Sequence, residues 1–204
     1  MLFRSDRSDM TTRLDEDGGR LWSVLSNWSQ SRATQAKARW VIEKAKLAFP
    51  SQLADLDFFP EVLAFRPGFS APEQGLSPSV LADGLLTALL QLTAVAGAKE
   101  GSTLAFDEME NQLHPFAIRV ILGAMREEAE RKGLTILLTT HSPEVLNEFR
   151  GEEERVFVLG EPGRVQPVPL ADLVHEDELP IAYIGERYLR ERFAPQSALA
   201  RGQR

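Results

Sequence analysis

Apolar residues recur at helical spacing in several parts of the chain. Between residues 20 and 49 they predict two helices that are separated near residues 29–35 and end at Pro50. The run 81–98 is apolar on nearly every face, which predicts a helix buried on more than one side. Residues 115–131 follow the same period and predict a fourth helix.

Short apolar runs predict the strands. Residues 102–106 and 134–139 lie on either side of the helix predicted over 115–131. Strand, crossover helix and strand in this order predict a parallel pair, and the predicted fold class is therefore α/β. Three more short strands are predicted, one within 58–69 and a hairpin pair at 155–159 and 164–168 around the turn GEPG.

The polar ends of the chain frame one predicted lobe. Residues 1–19 predict an N-terminal arm, and residues 194–204 predict a tail. Between them, the lobe is predicted to comprise a helical segment and linker at 20–80, a core at 81–149, and a C-terminal hairpin with helices at 150–193.

Composition narrows the class of protein. The 204 residues are 43% hydrophobic and 26% charged, which is ordinary for a globular domain. The net charge of -7 leaves no strongly basic face for nucleic acid, so DNA binding by this chain alone is not indicated. Cysteine is absent and no apolar run reaches the length of a membrane span, so we expect a cytoplasmic protein without a membrane partner.

Polar residues suited to catalysis follow both central strands. Asp107 and Glu108 come directly after the first strand, and Thr140 and His141 come after the second. The carboxyl ends of parallel strands form the ligand edge of an α/β sheet, so we expect these residues to be neighbours. There, a carboxylate such as Asp107 can hold Mg²⁺, and Glu108 can act as a general base toward water. The imidazole of His141 can hydrogen-bond a phosphate.

Each of these residues also has an ordinary explanation. An Asp-Glu pair after an apolar strand is common in solvated turns. His141 precedes Ser142 and Pro143, which predict a helix start that a histidine can cap. Their combination at two strand ends joined by one crossover favours a phosphoryl-transfer site.

Three motifs occur in a fixed order along the chain. They are VLADGLLTALLQLTAV at 80–95, FDEMENQLHP at 106–115 and TILLTTHSPEVLNEF at 135–149. In order and spacing they resemble the C-terminal half of the ABC-type AAA ATPases, which include OLD-family, RecF-like and SMC-like proteins and many bacterial anti-phage ATPases. LDEDGGRLWSVLSNW and YIGERYL are similar to further family segments, so the resemblance covers roughly residues 12–190. It implies a partial P-loop NTPase lobe with parallel strands, a helical insertion and a C-terminal β-hairpin.

The resemblance implies catalytic roles for three residues. Asp107 corresponds to the Walker B metal ligand, Glu108 to the catalytic glutamate and His141 to the switch histidine. The implied cofactors are ATP and Mg²⁺. By the same resemblance the protein works in a complex whose effector, a separate protein, serves DNA maintenance or antiviral defence.

Two further segments are implied to meet a second subunit in a homo- or hetero-oligomer. Residues 110–114 correspond to the D-loop, with Glu110, Asn111 and His114 as its contact residues. The signature segment, which contacts nucleotide bound to the opposing subunit, comprises Leu81, Ala82, Asp83 and Gly84. A glycine in this segment allows a close backbone approach.

Two departures from the family pattern bear on activity. No phosphate loop of the form G-x-x-x-x-G-K-[ST] occurs, and the nearest stretch, GAKEGST at 97–103, is predicted to be a loop that enters a strand. The Walker A lobe that carries such a loop is therefore expected before Met1 or in a partner polypeptide. Ala82 stands where the family usually has serine, with Ser79 as a nearby hydroxyl. We expect the chain alone to bind and hydrolyse ATP poorly.

Three other interpretations stay open. A catalytically inactive scaffold or regulatory subunit is favoured by Ala82 and by the missing phosphate loop. A piece of a longer protein would also lack that loop. A metal-dependent nuclease needs a third and a fourth carboxylate. Glu110 is close to the acidic pair, but the other candidates lie beyond the hairpin and away from any predicted strand end. These are Asp172, Asp177 and Glu178.

Overall fold

The computed structural model describes residues 13–15, 20–58, 61–69, 71–159, 166–173 and 185. It divides into two compact units, residues 1–139 and residues 140–204. The predicted N-terminal arm falls almost entirely outside the described residues, as does the predicted tail.

Four helices build the first unit, and all four were predicted. They are α1 (Leu21–Gln30), α2 (Gln35–Ala48), α3 (Asp83–Gly97) and α4 (Pro115–Lys132). Helix α2 packs against the other three, and α3 also packs against α4. Helix α3 buries residues around most of its circumference, as its continuous apolar sequence predicts. The core of this unit therefore lies between helices, with α3 at its centre.

Lys132, at the C-terminal end of α4, belongs to a buried ion pair within α4 and also binds the C-terminal end of α3. Lys132, only 8% exposed, places its Nζ 2.8 Å from Oε1 of Glu128, which is 6% exposed. The same ammonium donates to the carbonyl oxygens of Val95, Ala96 and Ala98 at 3.1, 2.8 and 3.3 Å. The last carbonyls of a helix have no partner within it, so Lys132 caps α3.

The charge of Glu128 is stabilised by its neighbours. Burial raises the pKa of this carboxyl, but hydrogen bonds from Arg131 and Lys132 outweigh burial, and the pKa lies below its ordinary value. The guanidinium of Arg131 donates to both carboxylate oxygens, at 2.8 and 2.6 Å. Glu128 is therefore ionised at neutral pH.

Two small sheets complete the first unit. Strands β1 (Asp55–Asp57) and β2 (Leu63–Phe65) pair antiparallel. Strands β3 (Thr103–Phe106) and β4 (Thr135–Leu138) pair parallel, with Phe106 opposite Leu138. The parallel pair joined by α4 is confirmed, and β1 was not predicted.

The second unit contains short elements. They are α5 (Pro143–Asn147), β5 (Phe157–Val158), β6 (Val168–Pro169) and α6 (Leu170–Leu173). Strands β5 and β6 pair antiparallel, as the predicted hairpin requires, with Val158 opposite Val168. The second strand was predicted over 164–168, of which 164 and 165 lie outside the described residues, and it is found at Val168–Pro169. Leu170 N–H continues the pairing by donating to Val156 O at 2.7 Å. The GEPG turn and, apart from Gly185, the helices predicted beyond Leu173 lie outside the described residues.

No helix of the described ranges combines the length and the apolar character that a membrane span requires.

Candidate functional site

The carboxyl ends of β3 and β4 bring Asp107 and Thr139 together. The strands are in register, with Phe106 opposite Leu138, so the next residue of each chain segment leaves the sheet at the same edge. Thr139 N–H donates to Phe106 O at 3.0 Å, which continues the pairing one residue past the strand. The two strand ends meet as predicted, but the residue that lies beside Asp107 is Thr139, whereas Thr140 and His141 were expected there.

The hydroxyl of Thr139 connects the two acidic residues. It donates a hydrogen bond to Oδ1 of Asp107. It also accepts one from the backbone N–H of Glu108, with 2.9 Å between the two heavy atoms. The Asp107 side chain is exposed, so its second oxygen, Oδ2, can face a cation at this edge of the sheet.

Glu108 adopts an unusual backbone conformation. Its φ is 44°, in the left-handed region that residues other than glycine, asparagine and aspartate rarely adopt. Such a conformation costs on the order of 1–3 kcal/mol and persists where the surroundings hold it. Here, the Thr139 hydroxyl holds the N–H of Glu108, and Asn111 N–H donates to its carbonyl oxygen at 2.9 Å. The exposed carboxylate of Glu108 is thus carried by a backbone that is fixed on both sides.

Helix α3 anchors the loop that follows Glu108. Gln91 is buried in α3, and its Nε2 donates to the carbonyl oxygen of Met109 at 2.7 Å. Met109 is itself fully buried. At the start of the same helix, a Cβ built on Gly84 would lie 2.5 Å from the carbonyl oxygen of Gln112. Because Gly84 has no side chain, the loop at Gln112 can pack directly against the first turn of α3.

The three residues expected to form the D-loop contacts differ in how far they are buried. Glu110 is half-buried, whereas Asn111 and His114 are exposed. His114 is the N-cap of α4, and its Nδ1 accepts from the backbone N–H of Phe116 at 3.3 Å. Pro115 follows at the first position of the helix, where its missing N–H costs nothing. His114 thus has a local structural role in addition to the role expected from the resemblance.

The predicted signature segment surrounds the first residue of α3. Leu81 is buried, and Gly84 faces the loop at Gln112. Ala82 is the N-cap and supplies no side-chain hydrogen bond, and Asp83 is exposed in the first turn. The nearby hydroxyl of Ser79 lies 3.1 Å from that of Ser77.

His141 belongs to the second unit. It is exposed and precedes Ser142, the N-cap of α5, so the predicted helix start at Pro143 is confirmed. Thr140 Oγ1 accepts from Ser142 N–H at 2.9 Å.

Sequence reasoning named Thr140 as the hydroxyl at this strand end and missed Thr139. The register could have identified the right residue. The residue after Phe106 lies opposite the residue after Leu138, and side chains of one strand alternate between faces.

The donor set fits Mg²⁺ better than it fits a nucleotide. One exposed carboxylate is a typical protein contribution to a Mg²⁺ site, where phosphate oxygens and waters supply most ligands. Across the described ranges, no group of three or more histidines and carboxylates is placed to hold a metal ion without such help. The nuclease interpretation gains no support from these residues. Asp172 lies in α6, and Asp177 and Glu178 lie outside the described part.

Comparison with known protein families identifies a family that this chain matches. A family profile described as "AAA domain, putative AbiEii toxin, Type IV TA system" matches residues 3–147, well over half of the chain. The matched range includes α3, both strands of the parallel pair, Asp107, Glu108 and His141. A search of curated proteins gives no match.

Proposed function

We propose that this chain, a member of the AAA domain family described as a putative AbiEii toxin of a type IV toxin–antitoxin system, supplies the hydrolytic half of an ATP site. An AAA domain is a nucleotide-binding, ATPase-type module. In this proposal the chain contributes the metal ligand, the catalytic glutamate, the D-loop and the switch histidine. A Walker A lobe or subunit completes the site.

The arrangement around Thr139 carries the proposal. Asp107 would hold Mg²⁺ through its exposed carboxylate, because Oδ1 is already bonded to the Thr139 hydroxyl. Bound Mg²⁺ would neutralise charge on the phosphate oxygens. Glu108 would accept a proton from the attacking water and orient it. His141 would donate a hydrogen bond to the terminal phosphate.

The remaining predicted residues would act between subunits. Glu110, Asn111 and His114 would face a second ATPase lobe, and the segment 81–84 would face nucleotide held by that lobe. Ala82 is the N-cap of α3 and makes no side-chain hydrogen bond to the backbone N–H groups of the first turn. Such N–H groups at a helix N-terminus suit an anion.

The parallel sheet supports the proposed partner. Parallel strands are usually covered on both faces, yet every second residue of β3 and β4 is exposed. Leu137 is 58% exposed. Within the described residues, these strands pair only with each other. A Walker A lobe that adds strands and covers this face would explain the exposure and would supply the phosphate loop that the sequence lacks.

The biological role is proposed by analogy with the family. ATP binding would clamp two half-sites of a homo- or hetero-oligomer, and hydrolysis would release them. This cycle would drive a separate effector protein in DNA maintenance or anti-phage defence in the cytoplasm. Fold analogy alone suggests this last step.

A catalytically inactive scaffold or regulatory subunit is the second candidate. Ala82 favours it, since the residue has no hydroxyl for a phosphate. The burial of Leu81 and the close contact between Gly84 and the Gln112 carbonyl favour it too, because both serve packing within this chain. In this case the acidic pair would have no effect on the activity of the complex.

Purification from the native cell separates the two candidates. The tagged chain is pulled down, its partners are identified by mass spectrometry, and ATPase activity is measured on the eluate. Under the first proposal, a partner with a phosphate loop co-purifies and Glu108→Gln lowers turnover about 100-fold or more. Glu130→Gln, which changes an exposed carboxylate on α4, serves as the matched control and should leave turnover unchanged.

Two results would contradict the first proposal. One is turnover in the complex that is indifferent to Glu108→Gln. The other is steady ATP hydrolysis by the isolated chain that Glu108→Gln abolishes, because the chain would then need no Walker A partner.

A further inference from the structure

We infer that Thr139 is a positioning residue for the acidic pair, through one hydroxyl that orients the Asp107 carboxylate and fixes the Glu108 backbone. This inference rests on the proposed function, since it assigns Thr139 to the same metal and water site. Thr139 itself would touch neither nucleotide nor metal.

The first part of the inference concerns the Asp107 carboxylate. An exposed aspartate rotates freely about its side-chain bonds, and holding it in one rotamer has an entropic cost. The Thr139 hydroxyl donates to Oδ1 and so selects one orientation before any cation arrives. Oδ2 is then presented as the oxygen for a metal. Residues that orient metal ligands in this way typically change metal affinity by 10- to 100-fold when they are removed.

The second part concerns the backbone of Glu108. With φ at 44°, this residue relaxes toward ordinary conformations unless its surroundings hold it. The hydroxyl of Thr139 accepts from its N–H at 2.9 Å. Because the hydroxyl donates to Asp107 and accepts from Glu108, the orientation of one acidic residue is tied to that of the other.

A purely structural role explains these contacts less well. Thr139 is exposed and lies one residue beyond β4. Hydrogen bonds of an exposed hydroxyl contribute little to folding, because water replaces them readily. Sheet pairing at this point uses the backbone N–H of Thr139 with Phe106 O, which any residue except proline provides. The hydroxyl therefore has its main effect on the two acidic residues.

The test uses NMR on the isotope-labelled full chain and its Thr139→Val and Thr139→Ser variants. Valine keeps the shape and removes the hydroxyl, and serine keeps the hydroxyl. Amide hydrogen exchange is measured at Glu108, and Mg²⁺ is titrated in the presence of inorganic phosphate, whose oxygens supply further ligands, while the Asp107 and Glu108 resonances are followed. We expect Thr139→Val to weaken the apparent Mg²⁺ affinity about tenfold and to remove the protection of the Glu108 amide. Thr139→Ser should restore both.

Several outcomes would overturn the inference. Unchanged Mg²⁺ affinity and unchanged Glu108 exchange in Thr139→Val would exclude a positioning role, and so would a failure of Thr139→Ser to restore them. The wild type gives a check that needs no variant to fold. If its Glu108 amide exchanges at the rate of an unprotected amide, the hydrogen bond on which the inference depends is absent.

A third variant separates this inference from the proposed function. Asp107→Asn should abolish the Mg²⁺-dependent shifts. If it does so while Thr139→Val has no effect, the metal assignment survives and the role of Thr139 is wrong. If Asp107→Asn leaves the shifts unchanged, Asp107 is not the metal ligand, and the proposed function fails together with the inference.

Discussion

Replacing Lys132 by methionine tests the buried ion pair within α4 and the hydrogen bonds that the same ammonium donates to the end of α3. Methionine keeps most of the volume of the side chain but removes the ammonium, which lies 2.8 Å from Glu128 Oε1 and contacts three carbonyl oxygens of α3. Breaking a buried pair by removing one partner costs about 3–5 kcal/mol. Arg131 keeps its two hydrogen bonds with Glu128, which reduces the loss, so we expect Lys132→Met to destabilise by about 3 kcal/mol.

Urea unfolding followed by circular dichroism and tryptophan fluorescence measures this loss. Lys46→Met is the matched control, because Lys46 makes an exposed pair with Glu43 and should cost only about 0.3 kcal/mol. The double variant Glu128→Leu/Lys132→Met should be less destabilised than Lys132→Met alone, since the buried carboxylate is removed together with its buried partner. If Lys132→Met lies within about 1 kcal/mol of the wild type, the buried ammonium does not hold the end of α3 to α4.

Three further predictions concern the same unit. Folding lowers the pKa of Glu128, so the ionised carboxylate stabilises the fold above the ordinary glutamate pKa, and this stabilisation is lost as the pH falls through the pKa of the folded protein. In urea titrations, acid should therefore destabilise the wild type more than Glu128→Gln. Gly84→Ala places a Cβ 2.5 Å from the Gln112 carbonyl oxygen and should lower the free energy of unfolding by about 1–3 kcal/mol. Gly123→Ala in α4 is the control: its Cβ has no neighbouring atom within 4 Å, so the free energy of unfolding should rise by about 0.5–1 kcal/mol in the same assay. Gln91→Met removes the donor to the loop after Glu108 and should cost about 1–2 kcal/mol, with faster amide exchange in that loop; unchanged exchange would show that the hydrogen bond does not anchor it.

Periodic elements were predicted well because their signal is local. The four helices and the parallel strand pair each have an apolar pattern long enough to read. Strand β1 was missed because it has three residues, of which Asp55 and Asp57 are exposed and disfavoured in strands. It forms only because β2 lies beside it, which is a tertiary fact.

The candidate site was predicted in its residue types but only partly in its contacts. Asp107 follows a strand end as expected, and its neighbour across the sheet is Thr139, since register decides the pairing. Gln91 lies in an otherwise apolar stretch of α3, so no periodic pattern assigns its side chain to the carbonyl of Met109. These contacts depend on how separate segments meet, which single-sequence patterns do not encode.

The left-handed backbone at Glu108 bears on how this protein would change over generations. Glycine and asparagine tolerate a φ of 44° better than glutamate does, so the present residue is a poor choice for stability. A chain kept only for its shape would lose nothing by exchanging the carboxylate and would gain an easier turn. In lineages where the protein has become a scaffold, position 108 is therefore expected to drift toward glycine or asparagine, and a persistent glutamate there would mark the copies that still work on a substrate.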